Sequence, residues 1–116
     1  MRKNDVVYLS HILDSIERIE EYTESMEKDD FLSSNLVQDW TIRQIEIIGE
    51  ATKNLSKDFR EKYPNVPWSN IAGMRDRLIH HYFGVNLNDV WYTVKIDIPV
   101  LKDEILAILH DMETEK

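Results

Sequence analysis

Apolar residues recur along most of the chain at spacings of three and four, the period of helices that bury one face. Val6, Val7, Leu9, Ile12, Leu13, Ile16, Ile19 and Tyr22 predict a first helix of roughly six turns, capped by Asn4 or Asp5. Its opposite side is acidic, through Asp14, Glu17, Glu20, Glu21, Glu24 and Glu27. Phe31 to Asn35 reads as a break or a helix start, because Ser33, Ser34 and Asn35 are all good caps. A second long helix is expected through Leu36, Val37, Trp40, Ile42, Ile45, Ile48, Ala51 and Leu55. Gly49 inside it costs about 1 kcal/mol relative to Ala, which suggests close packing of another helix at that point. Lys57 to Tyr63 extends the pattern as a short helix.

Pro64 and Pro67 interrupt it, since two prolines in four residues stop a helix. A third helix is predicted from Ser69 or Asn70, through Ile71, Met74, Leu78 and Ile79, to about Gly84. Asn88 or Asp89 then caps a last helix carrying Val90, Trp91, Val94, Ile98, Leu101, Ile105, Ile108 and Leu109. Pro99 should kink it, or lie on a first turn after a break at Asp97. The pattern predicts an all-α fold over residues 1–116, one domain, as an antiparallel bundle of four to five helices.

Composition narrows the function classes. Three Gly and three Pro leave few turns for a strand-rich fold. No run of about 18 apolar residues spans a membrane, and the N-terminal residues lack the apolar stretch of a signal peptide. The cytoplasm is therefore the expected compartment. The absence of cysteine excludes disulfides and thiolate metal sites. A net charge of −8 works against broad attraction to nucleic acid, so any RNA chemistry needs a local basic patch or an assembled surface.

Such a patch exists between Gly73 and Gly84. Arg75, Arg77, His80 and His81 fall together in an otherwise acidic chain, with Tyr82 beside them. A guanidinium binds phosphate in bidentate fashion, and an imidazole exchanges protons near neutral pH. Those are the needs of metal-free RNA cleavage: activating the ribose 2′-hydroxyl, protonating the leaving oxygen and stabilising the charged phosphorane. Asp76 lies one turn before His80, and Arg77 one turn before His81. Arg75 and His80 are five residues apart, about 140° around an ideal helix. They meet only if the helix ends or distorts near His80, or if two copies of the segment face each other across a two-fold axis. The bland alternative is that Arg and His near a helix end serve as partners of its dipole.

The remaining candidates carry less. Glu17, Glu20, Glu21 and Glu24 have helical spacing but no accompanying Glu-x-x-His, so a solvated face outweighs a metal site, and no metal or other cofactor is expected. Structural roles are expected for Glu46 and Glu50, nothing chemical for His11 and His110, and core or dimer contacts for Trp40, Trp68 and Trp91. No Gly-rich phosphate loop is present.

The stretch Tyr63-Pro64-Asn65-Val66-Pro67-Trp68-Ser69-Asn70-Ile71-Ala72-Gly73-Met74-Arg75-Asp76-Arg77-Leu78-Ile79-His80-His81-Tyr82-Phe83-Gly84-Val85-Asn86 closely resembles the signature of HepT-like proteins of the HEPN superfamily. Ile47-Ile48-Gly49-Glu50-Ala51-Thr52-Lys53-Asn54-Leu55-Ser56 is similar to that family's second helix. The resemblance covers nearly the whole chain. It implies the toxin of a toxin–antitoxin system, a metal-independent endoribonuclease paired with a minimal nucleotidyltransferase antitoxin. It maps the catalytic pair to Arg75 and His80, with His81 a competing spacing, the polar residue after the Arg to Asp76, and the motif tyrosine to Tyr82; on the ribonuclease reading Asp76 and Arg77 are supporting residues and Tyr82 a substrate contact. It also implies that the antitoxin transfers AMP to the Tyr82 hydroxyl, forming O-AMP-tyrosine, and that the toxin is a homodimer with facing motifs. The rival from another class is a non-catalytic helical module that scaffolds or regulates a nucleotidyltransferase.

Overall fold

A computed structural model describes residues 3–79 and 86–114. The described helices are α1 (Lys3–Thr23), α2 (Lys28–Leu32), α3 (Asn35–Asn54), α4 (Lys57–Lys62), α5 (Trp68–Ala72), α6 (Met74–Ile79), α7 (Leu87–Tyr92) and α8 (Ile98–Thr114), with a π-helical turn at Thr93–Asp97 joining the last two. No strand occurs among the described residues. The fold is all-α, and among those residues no helix is long and apolar enough to cross a membrane.

Contacts between helix ends fix the directions. Asp5 at the start of α1 accepts from the Ser56 backbone N–H (2.7 Å) just beyond α3, while Tyr22 near the end of α1 meets Trp40 near the start of α3, edge to face at 5.6 Å. α1 and α3 are therefore antiparallel. Lys102 early in α8 pairs with Glu20 late in α1 at 2.9 Å, so α8 also runs against α1. The Glu20 hydrogen bond and charge hold the Lys102 ammonium above its ordinary range. Leu9, Ile12, Ile16 and Ile19 of α1, Ile45 and Ile48 of α3, and Ile98, Leu101 and Ile105 of α8 form the buried core. These are among the apolar positions that the period of three and four selected; Val6, Val7 and Tyr22, selected with them, are exposed.

Five local details depart from the sequence expectations or sharpen them. Neither Asn4 nor Asp5 caps α1, within which both are already helical. Asp5 is buried and accepts from both the backbone N–H and the hydroxyl of Ser56, and Ser56 in turn caps α4 through Phe59 N. The caps chosen elsewhere are Ser34 for α3 and Asn86, in place of Asn88 or Asp89, for α7. Phe31 sits on the short helix α2, whose last carbonyls accept from the buried Gln38 amide. The third predicted helix is divided at Gly73 into α5 and α6. Finally, the π-turn ends at Asp97, two residues before Pro99. Proline lacks the N–H that would continue an α ladder, and a π-bulge is a common companion of such a disruption. Lys95 on that turn donates to Thr23 O at the end of α1 (2.8 Å) and lies over Trp91 at 4.6 Å.

Candidate active site

The site is built on the crossing of α3 with the α5–α6 turn. The backbone oxygen of Ala72 would be 3.2 Å from a Cβ placed on Gly49, so any side chain there would push the turn a few tenths of an ångström away from α3. Trp68, buried at the start of α5, donates its indole N–H to Tyr63 O (2.9 Å) and anchors the turn to the proline segment. Met74 and Leu78 bury the inner side of α6. The same helix geometry leaves Arg75, Asp76 and Arg77 exposed on its outer sides.

Arg75 turns toward α3. Its Nε lies 3.3 Å from Glu46 Oε1, and its Nη1 lies 3.5 Å from Asp76 Oδ1. The second oxygen of Glu46 is 3.6 Å from Arg43 Nη1, so one carboxylate spans two guanidiniums. The Arg75 side chain remains 47% exposed, which leaves it open to a phosphate as well. The Asp76 carboxylate thus faces Arg75 rather than Arg77. Arg77 donates to Asn70 O (3.1 Å) and lines a separate cleft with Asp97, Val100 and Glu104. Positions two apart on a helix face away from each other, so Arg75 and Arg77 do not form one cationic patch. Glu104, on the far wall of that second cleft, has its pKa raised by partial burial.

His80, His81 and Tyr82 lie outside the described residues. On either side of them, Asn86 N donates to Leu78 O at 3.4 Å. The chain before and after the motif therefore returns to one point at the end of α6. The only described helix break in this region, at Gly73, precedes Arg75, so Arg75 to Ile79 is regular helix.

Arg75 and Asp76 open onto a cleft of about 390 Å³ bounded by α1, α3 and the α5–α6 turn. His11, set aside on sequence grounds, lines it together with Tyr8, Arg43, Glu50 and Lys53. Glu46 was also read as structural, and its pairing with Arg75 is the contact that sequence reasoning missed. The available signal was Gly49, three residues along the same helix, which marks where α3 receives another element. Among the described residues no cluster of three or more His, Asp or Glu side chains could hold a metal ion.

Comparisons with known proteins decide the lineage. The ribonuclease HepT-like family model matches residues 12–108, a span that includes every residue of the basic motif. The chain belongs to the HepT-like ribonuclease family. A Methanocaldococcus jannaschii protein named "Gamma-glutamylcyclotransferase and putative RNase" is 56% identical over 116 residues, covering 100% of this HepT-like chain and 52% of the relative. The chain thus spans about half the length of that relative. A second protein of the same organism, named "Putative RNase", is 43% identical over 114 residues, 97% of this chain and 94% of its own length. A Thermococcus cleftensis protein named "Probable ribonuclease HepT" is 48% identical over 102 residues, 88% of this chain and 93% of its own. No solved structure matches the chain.

Proposed function

We propose that this HepT-like protein is a metal-independent endoribonuclease and the toxin of a toxin–antitoxin pair acting in the cytoplasm. The observation that carries the reading is Arg75: a half-exposed guanidinium held at the mouth of a cleft, within a matched ribonuclease family segment. In this reading Arg75 binds the scissile phosphate and stabilises the phosphorane. His80, with His81 as the competing position, takes the 2′-hydroxyl proton, and an acidic imidazole returns one to the departing 5′-oxygen. The 2′-oxygen forms its bond to phosphorus as the bond to the 5′-oxygen breaks, leaving a 2′,3′-cyclic phosphate and a 5′-hydroxyl. A two-fold homodimer supplies the second His80 and doubles the local positive charge of an acidic chain. Asp76 orients, Arg77 supports, and Tyr82 contacts substrate.

A minimal nucleotidyltransferase acts as antitoxin in this account, transferring AMP to the Tyr82 hydroxyl and placing a phosphate in the cationic cleft. Mass spectrometry of the Tyr82 peptide after co-expression with such a partner tests that arm, and an unmodified peptide in the presence of active partner rejects it. The nuclease arm is tested by expression of wild type and His80→Ala. Growth arrest by wild type alone supports it, and equal arrest, or none from either, rejects it. The two carboxylates already holding Arg75 favour the rival reading, a non-catalytic module that regulates a nucleotidyltransferase, and the same pair of strains separates the two.

A further inference from the structure

The cleft beside Arg75 offers more than one cation. Its roughly 390 Å³ lies near the small end of ligand sites, room for one nucleotide rather than a longer segment. One wall is aromatic. Tyr8 and His11 neighbour each other on α1, with ring centroids 6.1 Å apart and planes at 82°. The facing wall is a stripe of α3 carrying Arg43, Glu46, Glu50 and Lys53 at helical spacing. Arg43 and Lys53 are exposed, and each meets its carboxylate at only 3.6 Å. Such long, solvated pairs are weak, so an incoming phosphate displaces them readily. Aromatic rings for bases, interleaved with cations for the backbone, are the general recipe for single-stranded nucleic acid. Glu46 and Glu50 add acceptors for the N–H groups of a base edge.

We infer that this cleft is a subsite for the RNA nucleotide next to the scissile phosphate, with Tyr8 and His11 receiving the base and Lys53 or Arg43 its flanking phosphate. The inference rests on the ribonuclease reading, because Arg75 places the scissile phosphate at the mouth of the cleft. It makes α1 and α3, outside the basic motif, determinants of which bond is cut.

The test uses the purified full chain and a short single-stranded oligoribonucleotide with 2′-O-methyl riboses, which binds but has no 2′-hydroxyl to react. Fluorescence anisotropy compares wild type with His11→Ala, Lys53→Ala, the double variant, Tyr8→Leu and Tyr8→Phe. His11 and Lys53 are exposed, so the double variant retains the fold whatever Tyr8→Leu does. The double variant should bind about tenfold more weakly, and Lys53→Ala should lower the salt slope of log K by about 0.7. Tyr8→Phe should bind like wild type. Unchanged affinity and salt slope in the double variant would overturn the subsite. Cleavage of unmodified RNA is followed in parallel. A protein that binds in this way but never cuts retires the nuclease reading and leaves the binding cleft standing, whereas normal cutting with unchanged binding retires the subsite alone.

Discussion

Glu46 Oε1 on α3 lies 3.3 Å from Arg75 Nε on α6, while the other oxygen of the same carboxylate lies 3.6 Å from Arg43. A guanidinium with its Nε edge occupied rotates less freely, and displacement of the long, exposed Asp76 contact at Nη1 opens its other edge to a phosphate. Position matters steeply in catalysis, and a displacement of about 1 Å can cost a hundredfold. Glu46→Gln should therefore lower kcat on an RNA substrate by about tenfold, with KM changed less. Its thermal stability should stay within about 1 kcal/mol of wild type, because half-exposed pairs contribute little. Steady-state kinetics beside a melting curve check both halves.

Gly49 controls the same crossing from below. A Cβ there would sit 3.2 Å from the backbone oxygen of Ala72, and backbone does not yield as a flexible side chain does. Gly49→Val should destabilise the fold by roughly 2 kcal/mol, the usual cost of overpacking, despite the better helix propensity of valine. Chemical denaturation measures it, and unchanged stability would show that the α5–α6 turn is free to move.

Asp5 ties the first helix to the fourth through two hydrogen bonds to Ser56, of 2.7 and 2.8 Å. Asp5→Ala leaves a partly buried N–H and hydroxyl without their acceptor, at about 1–3 kcal/mol. Denaturant midpoints for Asp5→Ala and Asp5→Asn should fall in that order of severity, since Asn keeps one acceptor oxygen.

Glu104 gives a pH dependence with a definite sign. Partial burial raises its folded-state pKa, so the folded form resists ionisation more than the unfolded chain. The unfolded state therefore holds fewer protons in that range, and stability falls as pH rises from the unfolded carboxyl pKa through the raised folded one. Below both values the effect vanishes. Glu104→Gln should remove this decline, leaving the variant slightly more stable than wild type at neutral pH and equal to it in acid. Melting temperatures of the two proteins across pH 3 to 8 check the sign.

How much of this was legible beforehand differs between fold and site. The apolar spacing of Leu9, Ile12, Ile16 and Ile19, and of Ile98, Leu101 and Ile105, located the core correctly, because burial on one face leaves a local periodic trace. Ser34 stood with Ser33 and Asn35 among the cap candidates for the same local reason, and the structure selects it. Asp5 did not, since its partner Ser56 is remote in sequence and only the antiparallel pairing of α1 and α3 unites them. The division at Gly73 was hidden because apolar residues on both sides keep helical spacing. In the site, residue types at Arg75 and Arg77 suggested phosphate chemistry. The Glu46 contact and the share of the cleft contributed by Tyr8 and His11 depend on tertiary packing that no local pattern encodes. The separation of Arg75 from Arg77 onto different clefts could have been read from their spacing alone.

The most direct test of the ribonuclease account is the single-turnover rate of RNA cleavage by the purified protein in excess EDTA, for wild type, Arg75→Ala and His80→Ala. The account predicts metal-independent cleavage leaving 2′,3′-cyclic phosphate ends, with either substitution slowing it by about a hundredfold or more. Equal rates in all three proteins, or cleavage that EDTA abolishes, would contradict it.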